Sequence, residues 1–200
     1  NCSLVTKVIT LTCPYLPYAR QHKRISNDST FSLETFCKTI EQFIDVLHTF
    51  DVHDESFFEL DGKCRFLFTF KNTLPKLEID NIVESNDIDL MVFADKSAKR
   101  KYQPLTSIQS VGCDKIRDPG DGKITSFKIN EPIAEGLSIL VQDDLCDGGK
   151  TFMDVAKVLK PFKPKKLILY VSHGIFSRGT QCLFEAGYDK IYTRKGEVAQ

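Results

Sequence analysis

Ile139-Leu140-Val141-Gln142-Asp143-Asp144-Leu145-Cys146-Asp147-Gly148-Gly149-Lys150-Thr151 is the stretch that decides how this 200-residue chain folds. A largely apolar run predicts a buried strand over 137–141, which opens through acidic residues and a glycine pair. Phe152, Val155, Ala156 and Leu159 follow on one side of a predicted helix. The turn between them sets backbone N–H groups at a helix N-terminus, where a phosphate is favoured, beside carboxylates suited to sugar hydroxyls or a hydrated Mg²⁺. Two look-alike motifs are dismissed. Gly149-Lys150-Thr151 imitates the end of a P-loop, but the required first glycine would fall at Asp144. Gly120-x-Gly122 meets Thr125 where a dinucleotide site needs glycine.

The same alternation extends outward. Ile88–Ala94, Ser110–Cys113, Ile124–Ile129, Lys166–Val171 and Lys190–Tyr192 read as strands, and Lys96–Gln103 and Arg178–Ala186 as helices. Towards the start, Lys7–Cys13, Thr49–Val52 and Arg65–Phe70 read as strands. Between them Leu33, Phe36, Cys37, Ile40, Phe43, Ile44 and Leu47 share one helical face, with Ser32 as N-cap and Glu34 in the first turn. Asp114–Lys123, rich in charge, Gly and Pro, is expected to be a mobile loop. Strands alternating with helices predict an α/β fold with a mainly parallel sheet, whose ligands sit at the carboxyl ends of strands. The rhythm changes after the turn-rich Asn72–Lys76, which divides the chain into domains at 1–74 and 75–200.

Composition removes other classes. Against 27 Lys and Arg stand 27 Asp and Glu, so the net charge is zero and the basic excess expected of a nucleic-acid or membrane-surface protein is lacking. No run approaches about eighteen apolar residues, and Asn1-Cys2-Ser3 has neither the basic head nor the apolar run of a signal peptide. The seven cysteines are odd in number and scattered, without C-x-x-C or zinc spacing, and read as reduced, mostly buried small hydrophobes. A soluble, cytoplasmic protein is expected.

The series acid–acid–x–x–acid–Gly–Gly–x–Thr closely resembles the signature of type I phosphoribosyltransferases, whose turn binds the 5-phosphate and ribose of phosphoribosyl pyrophosphate. Most members have Thr-Gly-Gly-Thr where this chain has Gly148-Gly149-Lys150-Thr151. Pro14-Tyr15-Leu16-Pro17-Tyr18-Ala19-Arg20-Gln21 is similar to the Pro-Tyr-x-Pro-Tyr-Ala-Arg-Gln segment of the ribose-phosphate pyrophosphokinase family, a far more specific match. Asp51-Val52-His53 resembles that family's Asp-x-His, and Asp114-Lys115-Ile116-Arg117 its Asp-Lys-x-Arg. Ala94-Asp95-Lys96-Ser97-Ala98 corresponds to its Pro-Asp-x-Gly-Gly/Ala loop, with Ala94 in place of Pro and Ser97 in place of Gly. Ser172-His173-Gly174-Ile175-Phe176-Ser177 is similar to its Thr-His-Gly-Val-Phe-Ser, with His173 read as mainly structural.

The resemblance implies two phosphoribosyltransferase-like α/β domains with mainly parallel central sheets flanked by helices, the first of them lacking its amino-terminal part. It implies Mg²⁺-dependent transfer of the pyrophosphoryl group of ATP to C1 of ribose 5-phosphate, releasing AMP. By the same resemblance Arg20 and Gln21 hold ATP, with Lys23, Arg24 and His53 beside them. His53 and Asp95 help hold Mg²⁺, and Asp95, Lys96, Ser97 and Ala98 form the pyrophosphate loop. Lys115 and Arg117 are the catalytic pair. Asp143, Asp144, Asp147, Gly148, Gly149, Lys150 and Thr151 seat ribose 5-phosphate. A dimer-based homo-oligomer is implied as well. Two rival readings are a phosphoribosyltransferase that consumes phosphoribosyl pyrophosphate, and a non-catalytic regulatory homologue. Against the first stand the ATP loop and Asp51-x-His53; against the second stands the presence of both Lys115 and Arg117.

Overall fold

Residues 7–23, 31–117, 124–129 and 131–200 are described by the computed structural model, which divides into two units, Asn1–Leu74 and Pro75–Gln200. The first unit contains β1 (Thr10–Cys13), α1 (Ser32–Ile40), β2 (Val46–Phe50), the short hairpin β3 (Glu59–Leu60) and β4 (Lys63–Cys64), and β5 (Thr69–Thr73). Its sheet has the order β1-β2-β5 with every pair parallel. Leu33 and Cys37 of α1 are buried, in one core with Leu16, Leu47 and a group of phenylalanines. Phe58 stacks on Phe70 with ring centres 3.7 Å apart. The Arg65 guanidinium lies 5.0 Å from the Phe57 ring centre and donates to Glu34 Oε1 at 3.0 Å. A planar cation can meet ring faces and a carboxylate at once.

Several expectations for this unit are corrected. The helix ends at Ile40, so Leu47 is buried from a strand rather than a helical face. Ser32 is the first helical residue and not the N-cap, which is Phe31 without a side-chain cap. The strand predicted at Thr49 begins at Val46. Phe66 and Phe68 are buried from an irregular segment, and the strand predicted from Arg65 starts at Thr69. Alternating aromatics imitate a strand there because burial alone, without a ladder, repeats every second residue.

The second unit runs α2 (Lys76–Asn86), β6 (Leu90–Phe93), α3 (Lys96–Tyr102), β7 (Ser110–Arg117), β8 (Ile124–Ile129), β9 (Ser138–Cys146), α4 (Lys150–Leu159), β10 (Lys166–Gly174), α5 (Gln181–Ala186), β11 (Lys190–Thr193) and β12 (Gly196–Glu197). They build a seven-stranded sheet in the order β12-β11-β10-β9-β6-β7-β8. Its five inner strands are parallel, while β12 and β8 pair antiparallel at the edges. The predicted α/β class with mainly parallel sheets is what the chain adopts.

Alternation along each strand assigns the two faces. Leu90, Val92, Ile139, Val141, Leu167 and Leu169 share a core with Phe152, Val155 and Leu159 of α4. Met91, Phe93, Leu140, Ile168 and Tyr170 share the other with Ile79 and Ile82 of α2 and Tyr102 of α3. Helix α2 was not foreseen, because Pro75 and the polar residues after it read as a turn. Strands β9 and β10 run five and three residues past the predicted ends, to Cys146 and Gly174. The segment Asp114–Arg117, expected to be loop, is the second half of β7. Residues 118–123 of that expected loop lie outside the described residues. Lys99 packs over Gly112, where an added Cβ would stand 3.1 Å from its Cδ.

Candidate functional site

In the first unit, the segment after β1 turns on two buried anchors, Leu16 and Ala19, with the Ala19 N–H donating to Leu16 O at 3.3 Å. Tyr18 takes a left-handed backbone (φ 63°), and the Gln21 N–H donates back to Tyr18 O at 2.7 Å. This compact turn leaves Arg20, Gln21 and Lys23 exposed. Arg24 lies outside the described residues.

The segment that follows β2 is its neighbour. Asp51 is fully buried with φ 51°, its N–H donating to Thr73 O at 2.8 Å. Asn72, at the end of β5, accepts from the Val52 N–H and the Thr49 hydroxyl, each at 3.1 Å. Those bonds turn the chain out of the sheet and leave His53 exposed. His22 closes the two segments: its Nε2 lies 3.2 Å from Asp54 Oδ2, and its ring centre is 5.5 Å from that of His53. Desolvation lowers the His22 pKa, against the opposing pull of Asp54. Lys23 Nζ lies 3.8 Å from the same Asp54 Oδ2, so Lys23, His22 and His53 meet around Asp54. Neither Asn72 nor His22 was singled out from sequence, since a lone amide or imidazole in a turn carries no pattern.

In the second unit, β6 and β9 are parallel neighbours, with Phe93 opposite Gln142. Each strand delivers carboxylates at its carboxyl end. Asp95 caps α3 by accepting from the Ala98 N–H at 2.9 Å. That bond occupies one N–H of the segment expected to receive pyrophosphate, while Lys96 and Ser97 are exposed. Lys96 Nζ lies 3.5 Å from Asp114 Oδ1, and Lys99 Nζ 2.7 Å from Glu131 Oε1.

Asp143 and Asp144 stand on opposite faces of β9, Asp143 half-buried and Asp144 8% exposed. Asp143 Oδ1 accepts from the Asp144 N–H at 2.9 Å. Burial, followed by the charges of Asp144 and Asp95, pushes the Asp143 carboxyl well above the usual carboxylate range. Three carboxylates are therefore electrostatically linked where β6 and β9 end. The preceding residue, Gln142, is fully buried, and neither end of its amide has a hydrogen-bond partner among the described residues. A buried amide left so costs on the order of 1–3 kcal/mol.

The turn after β9 follows at once. Asp147 is exposed, Gly148 half-buried and Gly149 buried with φ 76°, and the Gly149 carbonyl accepts from the Phe152 and Met153 N–H groups at 3.0 Å to open α4. A Cβ on Gly149 would stand 3.2 Å from Leu183 Cδ2, so the position favours glycine for space as well as for φ. Lys150 is exposed and bonded to Asp154 at 2.7 Å, and Thr151 is half-buried in the first turn. Lys115 and Arg117 lie on β7, opposite Phe127 and Ile124 of β8, with a register shift between Ile116 and Arg117. His173 is half-buried on β10, opposite Leu145.

Among the described residues no group of three or more His, Cys, Asp or Glu side chains is arranged to hold a metal ion. Mg²⁺ retains several waters and uses one or two carboxylates together with substrate phosphates, so the acidic cluster at β6 and β9 fits that ion as a partial ligand set. No helix among the described residues is long and apolar enough to cross a membrane.

Comparison with known proteins gives several relatives named ribose-phosphate pyrophosphokinase. Over 138 residues the chain is 33% identical to the chloroplastic ribose-phosphate pyrophosphokinase 3 of Arabidopsis thaliana, covering 67% of this chain and 32% of the relative. Over 195 residues it is 25% identical to the ribose-phosphate pyrophosphokinase of Thermoplasma volcanium, covering 94% of this chain and 64% of the relative. The fold matches the crystal structure of phosphoribosylpyrophosphate synthetase from Mycobacterium smegmatis with a TM-score of 0.76 at 22% identity, over 94% of this chain and 61% of that one. The chain thus spans between about a third and two thirds of these relatives' lengths. No family model matches.

Proposed function

The chain belongs to the ribose-phosphate pyrophosphokinase family, and from that premise we propose that it works in synthesis of 5-phosphoribosyl 1-pyrophosphate from ATP and ribose 5-phosphate, releasing AMP. The observation that carries the reading is the adjacency of β6 and β9, which links Asp95, Asp143 and Asp144 beside the Gly148-Gly149 turn. Asp143, Asp144 and the turn 147–151 would hold the ribose hydroxyls and its phosphate, using carboxylates as acceptors and the start of α4 for the anion. Arg20, Gln21, Lys23 and Arg24 would bind ATP. His53 and Asp95 would help hold Mg²⁺, which when bound supplies charge neutralisation to the polyphosphate. Asp95, Lys96, Ser97 and Ala98 would face the pyrophosphate.

Lys115 and Arg117 would stabilise the transferring group while the anomeric oxygen bonds to the β-phosphorus and the bond to the α-phosphate oxygen breaks. Such a reaction asks the protein mainly for positioning and charge complementarity. Assembly as a dimer-based homo-oligomer and a cytoplasmic location belong to the same proposal. The six described cysteines are free, and burial pushes the thiols of Cys37, Cys113 and Cys146 up to about 12.

The test incubates the protein with Mg-ATP and ribose 5-phosphate and follows AMP and phosphoribosyl pyrophosphate. Product is expected from the parent protein and is lost in Lys115→Ala and Arg117→Ala. Tight ribose 5-phosphate binding without any product would refute the catalytic reading.

A further inference from the structure

Lys150 is the cation that the sequence sets nearest the turn, yet it is engaged elsewhere: its Nζ lies 2.7 Å from Asp154 Oδ2, one helical turn along α4. The cation lying against the turn is Arg178, from the connection between β10 and α5. Its Nε stands 3.7 Å, and its Cδ 3.8 Å, from the point a Cβ would occupy on Gly148. Arg178 is exposed and has no carboxylate partner among the described residues.

The backbone around Arg178 is built to hold it there. The Ile175 and Phe176 N–H groups donate to Cys146 O at 2.8 and 3.2 Å, joining this connection to the last residue of β9. Phe176 takes φ 49°, and the Gly179 N–H donates to Phe176 O at 2.8 Å, closing a tight turn with Arg178 inside it. The same β9 end thus fixes both the glycine turn and the arginine beside it.

Resting on the reading of that turn as a ribose 5-phosphate site, we propose that Arg178 is a binding residue for the sugar's phosphate. A guanidinium is always charged and presents paired N–H donors that match two phosphate oxygens, which a lysine already bound to a carboxylate does not. The uncommitted charge of Arg178 supplies what the peptide N–H groups of the turn lack, a full positive charge opposite a dianion. Sequence placed Arg178 in a helix from 178 to 186, but α5 starts only at Gln181, which frees the residue to face the turn.

The test is calorimetric titration of the protein with ribose 5-phosphate at two salt concentrations. Arg178→Ala is expected to weaken binding roughly 10- to 100-fold, the worth of one charge-assisted contact, and to reduce its salt dependence. Arg178→Lys should recover part of the affinity, and Lys150→Ala should cost less than Arg178→Ala. Unchanged affinity and salt dependence in Arg178→Ala, with the parent protein binding, overturns this inference alone. A parent protein that takes up no ribose 5-phosphate overturns the reading of the turn and the inference with it.

Discussion

Two glycines of the second unit have nearly the same φ and opposite surroundings. Gly136 has φ 77° with nothing within 4 Å of where a Cβ would sit. Gly149 has φ 76° with Leu183 Cδ2 at 3.2 Å and Cys182 Sγ at 3.6 Å from that point. Leu183 is fully buried in the core that α4 shares with the sheet, so a recoil would disturb packed neighbours. Forcing alanine into a left-handed conformation costs about 1–2 kcal/mol, offset in part by the smaller entropy of the unfolded chain. Gly136→Ala should therefore lose roughly 1 kcal/mol. Gly149→Ala bears the same strain plus overpacking, typically about 1–3 kcal/mol, for a total of about 2–4 kcal/mol. Urea unfolding followed by far-UV circular dichroism reads both losses, and the difference isolates the Leu183 contact because the backbone strain cancels. Equal losses at the two positions would refute the claim that Gly149 is favoured for space.

Asp143 carries a pH prediction. Its raised pKa means that the folded protein holds the proton more tightly than the unfolded chain does, so this residue's contribution is full in acid and lost as pH rises through the shifted value. Asp143→Asn keeps the acceptor for the Asp144 N–H and removes that loss; the variant should exceed its parent in stability at neutral pH and converge with it in acid, and parallel curves would contradict this. Asp95 separates structure from chemistry: Asp95→Ala should destabilise by about 1 kcal/mol through loss of the α3 cap, whereas Asp95→Asn caps nearly as well. Product formation that falls in Asp95→Asn without loss of melting temperature would assign the carboxylate's charge to the reaction, and full activity would deny it that role.

The second unit was the more legible in sequence. Its central strands β6, β9 and β10 are buried on both faces and read as apolar runs, and the acidic-glycine turn punctuates the passage from β9 to α4. The ends were misjudged because Gln142, Asp143 and Asp144 look like a loop, whereas the ladder to β10 continues as far as Cys146. Polar residues are held in a strand here by backbone pairing and by each other. In the first unit the phenylalanines misled, since Phe66 and Phe68 serve the core without joining a sheet. Contacts made by tertiary folding, such as Asn72 bridging β2 and β5 or Arg178 against Gly148, leave no periodicity to read.

The neighbour relation of β6 and β9 also fixes the order in which the two partners of β6 become available during synthesis. β6 is made first, then β7 and β8, and only afterwards residues 138–146, which supply the strand on its other side. Until then Leu90–Phe93, all apolar, present an unpaired edge that invites association with other nascent chains. Asp89 ties the starts of the two strands together in the finished fold, its carboxylate accepting from the Ser138 N–H at 2.8 Å while its own N–H donates to Ser138 O at 2.9 Å. A synthesis stalled before residue 138 would leave that apolar edge without the strand that covers it in the finished protein.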